Sequence, residues 1–249
     1  MAQLVTTETR GDVALVRIDR PPANALDLDL LAAGRDTAEE LRQADPAAVV
    51  IVGRERFFSA GVDLKAAPNL DADGQRAMVE GINRLFLEWY SFPRPVVCAV
   101  NGHAIAGGMI LALCGDYRVC ARGDVKLGLT EVRVGVGYPA VAIGVVRAEL
   151  DPASARVLAL GAELVGPEAA RELGVVDELR EPDVVLERAL EVAEAYAALP
   201  GAGYAGVKEQ LRGETVQRLQ AIVDKGDPLL SGWVGDDGSE RAAAVLDRG

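Results

Sequence analysis

The chain has 249 residues, with 38 acidic against 26 basic side chains and a formal net charge of −12. That balance excludes a broad nucleic-acid interface, which needs a positive field to displace counterions from phosphates. Apolar residues make up 50% and charged residues 26%, enough for a buried core in one large or two small domains and incompatible with wholesale disorder.

Met1 to Arg10 is polar and lacks the apolar segment of a signal peptide, so a cytoplasmic location is expected. Val13 to Ile18 and the β-branched run Ala48 to Val52 read as strands. Helical spacing follows each of them, in Leu28 to Arg42 and in Gly74 to Tyr90, where Met78, Ile82, Leu85, Phe86 and Trp89 repeat on one face. Pro95 to Gly115 contains no formal charge, but Asn101, His103 and four glycines break it into a strand, a turn and a buried helix over Met109 to Cys114, so it is not read as a membrane span. Tyr117 to Cys120 and Val125 to Leu127 read as further sheet. After Pro139 the signals are helical. Asp151 before Pro152 is an N-cap, Pro167 opens a short helix that Gly174 can end, and Val184 to Leu199, Gly206 to Asp224 and Ser239 to Leu246 follow.

Cys98, Cys114 and Cys120 lie among apolar neighbours without metal-knuckle spacing and read as reduced core thiols. His103 is the single histidine, which excludes zinc sites built on paired histidines and leaves acid-base chemistry to a carboxylate. No metal site is expected. Two glycine-containing loops follow predicted strands: Phe58-Ser59-Ala60-Gly61-Val62-Asp63-Leu64-Lys65, and Asn101 to Gly108, which opens into the Met109 helix. Neither matches a phosphate-loop or dinucleotide fingerprint. Small residues there let a ligand approach the backbone, and a helix start offers unpaired N–H donors, although each loop taken alone reads equally as a tight turn.

Together these two loops resemble the paired signatures of the crotonase superfamily, the enoyl-CoA hydratases and isomerases. Arg20-Pro21-Pro22-Ala23-Asn24-Ala25-Leu26 is similar to that family's first substrate-lining segment, Gly115-Asp116-Tyr117-Arg118 to the strand after its second loop, and Gly128 to Gly137 to its catalytic-glutamate segment. Pro167 to Glu178 resembles its helix-turn segment and Leu230 to Leu246, with Trp233, its closing helix. The resemblance implies an α/β spiral of strand-strand-helix repeats over residues 1–195 and a helical C-terminal region over 196–249 that closes the site and joins subunits. It also implies an acyl-CoA thioester as partner, no nucleic acid or membrane, and a homotrimer or dimer of trimers. Coenzyme A belongs to the substrate, and no separate cofactor is implied.

By motif position the oxyanion hole belongs to the amides of Val62 and Gly107, each worth ~3 kcal/mol in the transition state. Ala23, Ala25, Ser59, Ala60, Gly61, Asp63, Leu64 and Gly108 fall on the substrate-binding positions. Hydratases of the family carry two glutamates; here the first position is Ile110 and the second is Glu131. Water addition needs two proton-carrying groups, whereas double-bond migration needs one base, so the pattern favours the 3-enoyl-CoA to 2-enoyl-CoA isomerase branch. An enoyl-CoA hydratase and a non-catalytic acyl-CoA-binding protein are the alternatives. Lys65 and Lys208 are candidates for the CoA phosphates, and Trp233 for the acyl chain or a subunit contact. Asp63, Asp116 and His103 read as structural.

Overall fold

The computed structural model describes residues 3–63 and 70–231. The chain opens with a hairpin of β1 (Val5–Arg10) and β2 (Val13–Ile18), turned at Gly11 with φ 59°. Three similar turns follow. Helix α1 (Leu28–Ala44) leads to β3 (Ala48–Val52) and the short β4 (Phe57–Ser59). Helix α2 (Ala72–Tyr90) leads to β5 (Val96–Val100) and β6 (His103–Ile105), and α3 (Gly107–Leu113) leads to β7 (Tyr117–Ala121) and β8 (Leu127–Gly128). Each turn thus gives one strand to a six-stranded sheet, completed by β9 (Glu178–Arg180) in the order β1-β2-β3-β5-β7-β9, and one to a three-stranded sheet, β4-β6-β8.

This is the expected spiral of strand-strand-helix repeats. From β2 onward the large sheet is parallel, and β3 (AVVIV) and β5 (VVCAV) are buried along their whole length, as strands covered on both faces must be. Strand β1 escapes a sequence reading because Thr6 to Arg10 is polar; it is an antiparallel edge whose outer residues meet solvent.

The helices end and begin where their caps dictate. Asp27 accepts from the Leu30 N–H to start α1, Asp71 from Gly74 to start α2, and Asp151 from Ala153 and Ser154 to start α5 (Pro152–Gly161). Between α3 and α5 lies α4 (Ala140–Glu149), which has no local cap. Its donors are met from afar: Asp227 accepts from Ala140 at 2.6 Å, and Asn83 of α2 accepts from Val141 at 2.9 Å and donates to Asp227 at 2.8 Å. Helices α6 (Pro167–Glu172), α7 (Val185–Ala197) and α8 (Gly201–Lys225) complete the described part, and residue 196, expected to open the C-terminal region, lies within α7. The helix expected over Ser239 to Leu246 lies outside the described residues. No helix among the described residues is long and apolar enough to cross a membrane.

Helix α8 is fastened by charge more than by apolar area. Asp116 binds the Lys208 ammonium at 2.7 Å and the Arg212 guanidinium at 3.0 Å, while Arg212 also reaches Glu149 and the carbonyls of Cys114 and Gly115. Burial pulls the Lys208 ammonium below its ordinary range, partly opposed by Asp116. Removing Asp116 leaves the Lys208 ammonium without its counterion and Arg212 with Glu149 alone. Asp116→Ala is therefore expected to lower unfolding free energy by ~3–5 kcal/mol, read from urea unfolding at neutral pH.

Candidate active site

The first donor loop is braced by the segment before α1. Asn24, fully buried and at φ 51°, donates to the carbonyls of Ile18 and Phe58 and accepts from the Arg20 N–H, which pins the end of β2 to β4. The Ser59 hydroxyl donates to the Asn24 carbonyl at 2.7 Å and accepts from Gly61 N–H at 3.2 Å. Ala60 N–H donates to Ala23, Leu26 N–H to Gly61, and Asp63 N–H to Leu26. These last two bonds make Leu26 and Val62 a parallel bridge, in which Leu26 pairs with the residues on either side of Val62. By the two-residue period of extended chain, the Val62 N–H turns away and has no acceptor among the described residues.

The second loop reaches the same place from the other side. Ala106 N–H donates to the Gly128 carbonyl at 2.7 Å, and Ala106 itself stands at φ 52°, a left-handed conformation that costs an alanine energy. Helix α3 begins at the next residue, so the N–H groups of Gly107 and Gly108 have no intrahelical acceptor, whereas those of Met109 and Ile110 bond to Ala106. The loops touch through backbone. A Cβ at Gly61 (φ 77°) would sit 2.6 Å from the Ile105 carbonyl oxygen and 2.9 Å from Gly107 N, and one at Gly108 would sit 2.1 Å from the Ser59 carbonyl oxygen. Glycine is required at both places, and the contact sets Gly107 N against the loop that carries the free Val62 amide.

The Gly128 bond also ties this loop to the carboxylate. Three residues beyond Gly128, Glu131 opens a 3-10 turn, Glu131–Val134, that Gly135 ends at φ 72°. Glu131 Oε2 is buried without a hydrogen-bond partner among the described residues. Burial pushes its carboxyl up to about 7, opposed by its own N–H, the Tyr138 hydroxyl and the Thr130 N–H. A carboxyl titrating near neutrality, with one buried oxygen left free, is poised to take and return a proton.

Position 110 carries no carboxylate to partner it: Ile110 is 1% exposed and packed in the core. Ala23, Ala25 and Ala60 are half-buried along the braced segment and loop. Two of the side chains expected at the substrate have their polar groups engaged within the fold. Ser59 is fully buried and both its hydroxyl bonds are spent on bracing the loop, and Lys208 is 8% exposed, its ammonium held by Asp116 and the Arg94 carbonyl and withdrawn from any phosphate. Asp63 pairs with Arg20 at 3.0 Å, and Arg20 also binds Asp27 at 2.6 Å, so its carboxylate is structural. His103 is structural as well, its Nδ1 accepting from Lys126 N–H at 2.9 Å while its ring stands edge-on to Phe57. Leu64, Lys65 and Trp233 lie outside the described residues. A cavity of about 620 Å³ beside Tyr90, Glu149, Lys208 and Arg212 shares no residue with the donor loops and is distinct from this site. Two contributors lie beyond the residues singled out from sequence: Asn24, whose bracing role depends on a long-range contact, and Tyr138, which follows the glutamate motif directly.

Two loops that present free amides from a strand-strand-helix spiral, with a buried carboxyl beside them, define the crotonase class of acyl-thioester proteins. Residues 8–234 match the enoyl-CoA hydratase/isomerase family, and the chain belongs to it. It is 30% identical over 218 residues to the carnitinyl-CoA dehydratase of Salmonella typhimurium, covering 85% of this chain and 81% of that one. Its fold superposes on human mitochondrial delta3-delta2-enoyl-CoA isomerase with a TM-score of 0.90, at 27% identity, over 99% of this chain and 98% of that one. It also superposes on an enoyl-CoA hydratase from Mycobacterium marinum with a TM-score of 0.83, at 32% identity, over 89% and 96%.

Two outcomes follow from this geometry. Gly61→Ala pushes a methyl against Gly107 N and is expected to lower kcat for the acyl-CoA reaction by at least ~10²-fold, the cost of one lost oxyanion donor, whereas Val62→Ala, which keeps the N–H, leaves kcat within a few-fold. Steady-state kinetics of the two variants checks the contrast. The second outcome concerns stability. The folded carboxyl of Glu131 holds its proton to about 7, against an ordinary value of 4.5, so between those values the folded state binds more protons than the unfolded one and stability falls as pH rises. Glu131→Gln removes that loss, by up to ~3 kcal/mol, so thermal unfolding should show the variant gaining on the parent between pH 5 and pH 8.

Proposed function

We propose that this protein shifts the double bond of a 3-enoyl-CoA to the 2-position, using Glu131 as its one base. The observation that carries the reading is the pairing of a buried, near-neutral carboxyl at Glu131 with an apolar, core-packed Ile110. In the reaction the Val62 and Gly107 amides hold the thioester oxygen, so that the charge formed at C2 is shared with an oxyanion in a low-dielectric site. Glu131 takes the C2 proton and the C–H pair enters the conjugated dienolate. The same carboxyl then returns the proton at C4 as the enolate collapses, leaving the double bond between C2 and C3. Nothing is added or lost, and no redox or metal partner is required by this step.

Water addition asks for more. One group must deprotonate water and another must protonate C2, and the position that would supply the second is Ile110. The hydratase likeness from M. marinum keeps that second reading in view, and product mass separates the two. The proposed assembly is a homotrimer or dimer of trimers, supported by an exposed apolar stripe, Val207 and Leu211, on α8.

The test uses purified protein with medium-chain 3-enoyl-CoA and 2-enoyl-CoA in separate reactions. Conversion of the 3-enoyl substrate at unchanged mass, falling ~10²–10⁴-fold in Glu131→Gln, is the expected result. A gain of one water from the 2-enoyl substrate would replace the isomerase reading by the hydratase one. Tight acyl-CoA binding with no product from either substrate would make the protein a non-catalytic binder.

A further inference from the structure

Two buried polar atoms near the site have no hydrogen-bond partner among the described residues: Oε2 of Glu131 and the hydroxyl of Tyr138. The local chain brings the two residues to one side. After the 3-10 turn, left-handed Gly135 reverses the backbone and the Val136 N–H bonds back to the Glu131 carbonyl at 3.2 Å, which returns Tyr138 to the side of Glu131. The far end of this return is fixed, because Ala140 and Val141, two and three residues beyond Tyr138, are held by Asp227 and Asn83.

Among the described residues, Tyr138 is the one titratable side chain that acts on Glu131, and Glu131 the one that acts on Tyr138. Burial and the neighbouring carboxyl raise the phenol well above its ordinary range, so it stays protonated throughout the working pH and can serve as a donor and not as a base. A donor facing a carboxyl favours its ionised form and fixes which oxygen is left free.

We infer that Tyr138 is a positioning residue for the proposed reaction, donating its hydroxyl hydrogen to one oxygen of Glu131 so that the other is aimed at the substrate carbon. This rests on the isomerase reading for its catalytic meaning, but the pairing of the two groups does not. The bond holds the carboxyl in one orientation while the proton moves between C2 and C4. It also keeps Glu131 partly ionised at neutral pH in spite of its burial. A phenol is well suited to this, since it donates one hydrogen, brings no charge of its own, and leaves the base free to cycle.

The test is Tyr138→Phe in the full chain, with two readouts. The first is the pH profile of kcat/KM on a 3-enoyl-CoA. Loss of one net hydrogen bond to the charged form should move the ascending limb, set near 7 by Glu131, upward by roughly 0.5–1 unit. Activity at pH 6 then falls roughly 3–10-fold while the values at pH 9 converge. The second is the pH dependence of thermal unfolding, which titrates Glu131 without any substrate. The interval over which stability falls should extend upward by the same shift, and the substitution should leave no pH-dependent trace in a Glu131→Gln background. Superimposable profiles, or a loss of activity by one factor at every pH, would overturn the inference. If the unfolding titration moves but no 3-enoyl-CoA is turned over by the parent, the pairing stands and the isomerase reading falls.

Discussion

The contact on which the site depends is the one between two backbones, Gly61 against Gly107 and Gly108 against the Ser59 carbonyl. Neither position has room for a methyl group, so the distance between the loops is fixed by the main chain itself. Everything else supports that closeness. Asn24 joins the end of β2 to β4 through its one amide, Ser59 turns its hydroxyl inward to hold Gly61, and Ala106 accepts a left-handed backbone that allows α3 to start directly behind the contact. The donors that result are amides, which cannot swing away as side chains can, and their orientation is established on folding and not at the moment of reaction. The strained alanine and the spent hydroxyl are local costs set against that gain.

The spiral explains why these particular loops meet. Each turn contributes a strand to the large sheet and the next to the small one, so the ends of β4 and β6 lie side by side although some forty residues of helix and strand separate them in sequence. β8 then adds to the same small sheet and delivers Glu131 just past its end. The small sheet is short, two or three residues per strand, yet it is the part of the fold that orders the chemistry. The large sheet, with its buried strands, supplies the rigid floor under it.

Much of this is legible in the sequence where a local rule governs. The fully apolar runs at Ala48 and Val96, the heptad-like face of α2, and the Asp151-Pro152 start of α5 each carry their own signal, and the structure follows them within a few residues. The two glycine loops and Glu131 are visible as motifs. What escapes is set by contacts between distant segments. Strand β1 is polar and forms because β2 offers an edge, α4 is capped by Asn83 and Asp227 from two other parts of the chain, and Ser59 reads as a site residue by position yet serves the loop. Lys208 is the sharpest case. The family resemblance makes Lys208 a candidate for a phosphate contact, and only the fold shows that Asp116 and the Arg94 carbonyl hold it inward.

In the proposed reaction, burial is what would let a single carboxylate suffice. A surface glutamate is ionised at neutral pH and too weak a base to compete for a carbon-bound proton; one desolvated until it titrates near 7 is matched to the task and can also give the proton back. The same desolvation penalises the ionised folded state, so proton transfer and stability pull against each other at this residue. An apolar Ile110 fits the same proposed reaction, since that is the position from which a second carboxylate would serve water addition. On the proposed isomerase reading an apolar residue at position 110 and a desolvated Glu131 belong together, because such a site suits one reversible proton carrier better than the handling of water.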